Sequence, residues 1–151
     1  MALATVLFPP TPIVFEAELT TSAGATGLEL TLDLQPLASS DRETPVGSPF
    51  GIGGPYPVAA DGSFTLTPPT LVVPGEANPI SGNVIEVEVT LTGTLLAPAD
   101  FICGDVAGVT TQPPGISIDG STFTLERIAS PGPPYPEPPR INCAGDLAQP
   151  L

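Results

Sequence analysis

The stretch Val84–Leu96, VIEVEVTLTGTLL, is the longest run in the chain that alternates apolar and polar residues without a proline. Ile85, Val87, Val89 and Leu91 fall on one face and Glu86, Glu88, Thr90 and Thr92 on the other, the period-2 pattern of a half-buried β-strand. Its neighbours read the same way. Ile13–Thr20 sets Ile13, Phe15, Ala17 and Leu19 on one face, and Leu28–Leu34 does so with four leucines. The small polar linker Thr21–Gly27 makes these two an antiparallel hairpin. Further strands are expected near Val46–Ile52, Ser63–Thr67, Thr70–Val73, Phe101–Thr111, Ile116–Ile118 and Ser121–Ile128, while Pro36–Pro57 otherwise reads as a long loop.

No window free of both Pro and Gly is longer than the eleven residues Ile13–Ala23, so a helix of ordinary length barely has room. The expectation is one all-β domain spanning residues 1–151, with eight or nine mostly antiparallel strands. A β-sandwich is the first plan and a closed meander β-barrel the alternative. Gly93, inside the founding strand, suggests a bulge or bend. Gly104 and Gly108, four apart on one face, permit close approach of another backbone. The pairs Asp61-Gly62 and Asp119-Gly120 each open an aromatic-bearing strand, as tight hairpin turns do.

Charge excludes several functions. Sixteen acids face only Arg42, Arg127 and Arg140, with no Lys or His, for a net charge of −13, which repels nucleic acid and anionic lipid. Without His there is no Ser-His-Asp or Cys-His arrangement and no common zinc site. Without Lys there is no Schiff base and no phosphate-loop lysine. Carboxylate pairs such as Glu16 with Glu18 or Glu86 with Glu88 suit glycosidases only beside aromatic platforms, and the chain has no Trp and two Tyr. No enzymatic function and no cofactor are expected. Calcium has oxygen ligands available, but no DxDxDG loop occurs, and Asp41, Asp61, Asp100, Asp119 and Asp146 sit singly where Asp serves local turns.

The proline-rich tail, residues 131–151, runs from PGPPYPEPPR into Ile141-Asn142-Cys143, whose cysteine has a mate in Cys103. Bonded, the two close a loop of about 40 residues and stabilise the fold by roughly 3–4 kcal/mol. From Gly93 onward, FICGDVAGVTT, ISIDGSTFTLERI and INCAG resemble uncharacterised β-rich secreted lipoproteins of the myxobacterial kind. The resemblance covers the C-terminal half and implies a disulfide and extracytoplasmic placement, secreted or at the cell surface. It brings no catalytic residue, and the lipid-acceptor cysteine such a lipoprotein carries near its start has no counterpart here. The opening MALATVLFPP is neither signal peptide nor membrane span, so a native signal peptide is expected to be absent from this chain.

Residues 1–12 form an apolar segment plus the connector Pro9-Pro10-Thr11-Pro12. Ala2, Ala4, Val6 and Phe8 share one face of an expected strand, and the connector is too stiff for a tight hairpin onto Ile13–Leu19. Such a strand pairs with a distant edge of its own sheet or is donated to a neighbouring subunit, making an oligomer or filament. Two functions follow: a structural or interaction module that self-associates through an edge strand, or a lipocalin-like barrel carrying a small apolar ligand.

Overall fold

The computed structural model describes residues 1–25 and 27–151. Among the described residues the strands are β1 (Ala2–Ala4), β2 (Ile13–Gly24), β3 (Gly27–Pro36), β4 (Phe50–Gly51), β5 (Tyr56–Val58), β6 (Ser63–Leu66), β7 (Leu71–Val73), β8 (Ile85–Thr94), β9 (Phe101–Gln112), β10 (Pro114–Ser117) and β11 (Ser121–Glu126), with one 3-10 turn at Gly75–Ala77. Eight of them close a ring in the order β9-β11-β1-β2-β3-β5-β6-β8, and β8 returns to β9. Every pairing is antiparallel. The closed barrel therefore holds and the sandwich does not, because β8 and β9 pair from Glu86↔Gln112 to Gly93↔Gly104 and leave no seam between two sheets. β4, β7 and β10 lie outside the ring on β3, β8 and β9. No helix among the described residues is long and apolar enough to cross a membrane.

An eight-stranded barrel is just wide enough for its inward side chains to fill. Leu30, Leu32 and Leu34 of β3 and Val87, Val89 and Leu91 of β8 all point into the core and are buried, as their alternation requires. Leu28 is the exception on its face. It is 42% exposed because it sits at the end of the barrel, where β3 pairs with the last residue of β5 (Leu28↔Val58) and β2 and β3 continue only to Gly24↔Gly27. The linker expected at Thr21–Gly27 is thus mostly strand, and Thr26 within it lies outside the described residues.

Inside the barrel the rings of Phe64 and Phe123 meet, with centroids 6.4 Å apart. Both rest on glycine. A Cβ on Gly93 would lie 2.8 Å from the Phe64 ring and 2.9 Å from that of Phe123, and one on Gly104 would collide with the Thr92 carbonyl oxygen and the Phe123 ring. Gly108 meets the Glu88 carbonyl in the same way. The two glycines four apart thus serve close backbone approach, as their spacing suggested. Gly93 is not the bulge: the register of β8 on β9 shifts between Glu86 and Val87, and Gly93 makes room for aromatic rings. Also missed in sequence was β5, where Pro57 sits in a strand of three residues that reads as loop.

β1 holds the ring together between chain ends. It pairs with β11 (Ala2↔Thr124, Leu3↔Phe123, Ala4↔Thr122) and with β2 (Ala2↔Val14, Leu3↔Ile13). The proline connector does return the strand onto Ile13, through the wide loop 5–12 and not a tight hairpin. Leu3 enters the core, whereas Ala4 faces outward under the tail, packed with Ile141 and Ala148. Val6 and Phe8, expected on the strand, leave it and are exposed.

The tail is fastened at several points. Cys103 and Cys143 are bonded, with Cα atoms 5.3 Å apart. Thr122 and Thr124 hydroxyls donate to the carbonyls of Ile141 and Arg140, both at 2.6 Å. Arg42, buried, pairs with Glu137 and donates to the Gln149 carbonyl at 3.0 Å.

Replacing both cysteines by serine should lower unfolding free energy by roughly 3–4 kcal/mol, read from denaturant titrations of oxidised wild type and the double variant. An unchanged midpoint would refute the stapling role. Gly104→Ala should cost about 3 kcal/mol or more, since the new methyl meets backbone and not a movable side chain; the same titration checks it.

Candidate functional site

β8 and β9 are longer than the ring needs. β8 pairs with β6 through residues 91–94 but with β7 through Ile85–Val87. Likewise β9 pairs with β11 through residues 101–106 and with β10 beyond Val109. At this end the sheet β7-β8-β9-β10 stands opposite β1 and β2 with no strand between, and the space is an apolar cavity of about 180 Å³.

Strand direction orders its lining. β1 and β8 run antiparallel, so Leu3 and Val89 lie at the inner end, with Ile13 paired to Leu3 and Ile118 bonded to the Gly108 that faces Val89, while Leu7 and Ile85 lie at the mouth and Val87 between. Phe15 lines the floor beside Leu3, and the paired Phe rings lie beyond. Ile80, Ile116 and Leu7 form the rim; Ile116 is 37% exposed and Leu7 48%.

No ionisable side chain lines this cavity. Its few polar groups are already engaged. The Thr110 hydroxyl donates to the Pro113 carbonyl and accepts from the Ile116 N–H. Thr5 Oγ1 accepts from the Phe8 N–H, and Ser81 Oγ from Asn78 Nδ2 at 2.8 Å. Chemically the site offers dispersion contact and exclusion of water and nothing to move a proton or hold an ion.

The residues singled out by sequence fall elsewhere. Ala2 and Ala4 are buried in β1, which has no unpaired edge, and Val6 and Phe8 flank Leu7 outside the mouth. Glu86 and Glu88 alternate with the cavity-lining Ile85, Val87 and Val89, so they occupy the opposite face of β8. Glu16 is tied down by the tail, accepting from the Gly132 N–H at 3.0 Å and the Tyr135 hydroxyl at 2.8 Å.

The five single aspartates do turn chemistry or pair locally. Asp41 accepts from Glu43 and Thr44, Asp61 from Ser63, Asp119 from the Gly108 N–H and Asp146 from Asn142, while Asp100 pairs with Arg127. The Thr44 hydroxyl holds the Asp41 carboxyl below its usual range, and the Ser63 N–H does the same for Asp61. Among the described residues no group of three or more His, Cys, Asp or Glu is placed to hold a metal.

A second cleft, of about 70 Å³, lies beneath the tail and brings together Met1, Glu16, Glu126, Tyr135 and Arg140 among apolar residues. The Met1 amine donates to the Phe15 carbonyl at 2.7 Å. Burial pushes this amine down to about 5, against the pull of Glu126 and Glu16. Burial, with Glu16 beside it, pushes the Tyr135 phenol up to about 12. Here too the groups face one another and act as a latch for the tail.

The fold and site define a small closed β-barrel with an apolar chamber at one end. No protein family, curated protein or solved structure matches the chain. Sequence reading missed Leu7, Ile80, Ile116 and Ile118 as site residues. Their signal was slight: isolated large aliphatics beside Pro and Gly, whose convergence depends on pairings far apart in sequence.

Titration of the latch sets two pH limbs. For the Met1 amine the unfolded chain binds the extra proton between about pH 5 and 8, so stability rises with pH across that window. For Tyr135 the folded chain keeps its proton longer, so stability falls from about pH 10 to 12. Denaturant midpoints measured across pH should show both limbs. Tyr135→Phe should remove only the alkaline one.

Proposed function

We propose that this chain is a non-catalytic, extracytoplasmic binding module that takes a small apolar ligand into the open end of its barrel. The observation that carries the reading is the apolar cavity among Leu3, Phe15, Val87, Val89 and Ile118. Apolar cavities of about 150 Å³ stay dry and take up benzene or xenon, and a chamber of about 180 Å³ is of that kind. Lipocalin-like carriers of larger ligands need roughly 300–1,000 Å³. The aromatic pair on Gly93 and Gly104 fills the space where such a ligand would sit, so the cargo is of fragment size. The disulfide supports an oxidising compartment.

A structural role by strand donation has less to rest on. Both edges of β1 are occupied within the chain. The strands outside the ring are short and bordered by Pro49, Pro69, Pro74 and Pro113, residues that blunt an edge against pairing.

Benzene titrated into protein labelled at methyl groups should shift Val87, Val89 and Ile118 and leave Leu28, at the other end, unmoved. A dissociation constant on the order of 0.1–1 mM is expected for six carbons. Val87→Phe should weaken binding at least tenfold by filling the chamber. Absence of any shift at saturating benzene would contradict the reading.

A further inference from the structure

We infer that the ligand of the cavity carries, on an otherwise apolar body, one oxygen that only accepts hydrogen bonds, as in an ether, ester or ketone, and that the Thr5 hydroxyl donates to it. The inference rests on the apolar-ligand reading proposed above and adds the one polar contact that selects among apolar ligands.

Thr5 stands on the wall with its side chain turned inward. Residues 3, 5 and 7 all line the cavity, whereas Ala4 packs under the tail and Val6 is exposed. Thr5 itself is only 6% exposed. A hydroxyl has one proton to give and two lone pairs to receive with. The Thr5 oxygen receives the Phe8 N–H at 3.4 Å, but among the described residues no acceptor takes its proton. The group is engaged on one side only, and a buried donor left unpaired is costly. An acceptor on the ligand removes that cost.

The other two hydroxyls on the wall differ. Thr110, also buried, gives its proton to the Pro113 carbonyl and receives the Ile116 N–H. Ser81 lies exposed at the rim, where water takes its proton. Thr5 is thus the one hydroxyl lining the cavity that is both desolvated and free to donate.

The wall also restricts what can accept. No ionisable side chain lines the cavity, so a carboxylate drawn inward would be buried without a counter-charge. A ligand hydroxyl that took the Thr5 proton would bring a second proton into the same apolar wall, whereas an ether, ester or ketone oxygen brings none.

The test compares anisole with ethylbenzene, alike in size but with an oxygen in one where the other has a methylene. Each is titrated into methyl-labelled full-length protein while the Val87, Val89 and Ile118 methyl signals are followed. The quantity read is the ratio of the two association constants; between wild type and variant, ligand hydration and any packing change common to both cancel from it. Thr5→Val, which puts a methyl in place of the hydroxyl, should lower the anisole-to-ethylbenzene ratio about fivefold. Thr5→Ser, which keeps the hydroxyl, should hold it near the wild-type value. The Phe8 N–H keeps the backbone carbonyl of residue 5 as a partner in either variant. Should both variants unfold, a crystal structure of the wild type with anisole decides. An ether oxygen within about 3.0 Å of Thr5 Oγ1 supports the inference, and one turned away from it overturns it. A ratio unchanged by Thr5→Val, or lowered as much by Thr5→Ser, would overturn the inference while ethylbenzene binding leaves the apolar-ligand reading intact. If neither ligand moves these methyls, both fall.

Discussion

The barrel depends on one steric constraint, the seating of Phe64 and Phe123 against Gly93 and Gly104 where β8 crosses β9. Side chains at either glycine would collide with rings or with the Thr92 carbonyl, so the pairing that closes the ring exists only because two successive strands give up their side chains at one point. The rings fill the space that the two missing side chains leave. The cavity is a consequence: β8 and β9 outrun the ring, recruit β7 and β10 as partners, and leave apolar walls facing each other without a filler. The two strands that close the barrel, β8 and β9, also line the site, through Ile85, Val87, Val89 and Thr110.

A second dependence links the chain termini. β1 is short and small on its outer side because the tail lies on it, Ala4 packing against Ile141 and Ala148. Two of the arginines hold the tail, Arg42 to Glu137 and Arg140 near Glu126 at 3.9 Å with its guanidinium over the Phe101 ring. The remaining acidic excess stays on outward faces and turns, which is why a chain of net charge −13 encloses a chamber free of charge.

Much of the fold was legible where local pattern decides it. Leu30, Leu32, Leu34, Val87, Val89 and Leu91 alternate with polar neighbours, and period 2 has only one structural meaning for runs of that length. The pairing of Cys103 with Cys143 was legible from an even count, and the turn roles of Asp41 and Asp61 from their spacing to Ser and Thr. Barrel against sandwich was not legible, since closure rests on Leu3 finding Phe123, 120 positions away, and three residues carry no periodic signal. β5 hid behind Pro57. The site was the least legible part: its rim comes from Leu7, Ile80 and Ile116, three isolated aliphatics in loops and a short edge strand. Only the divergence of β7 and β10 from the ring brings them together.

The most direct measurement is a crystal structure of the oxidised protein under xenon pressure, since xenon enters dry apolar cavities and needs no hydrogen bond. The account requires a xenon atom between Val87, Val89, Ile118 and Leu3. A chamber found collapsed, or filled by ordered waters bonded to Thr5 and Thr110 with no xenon, would contradict it.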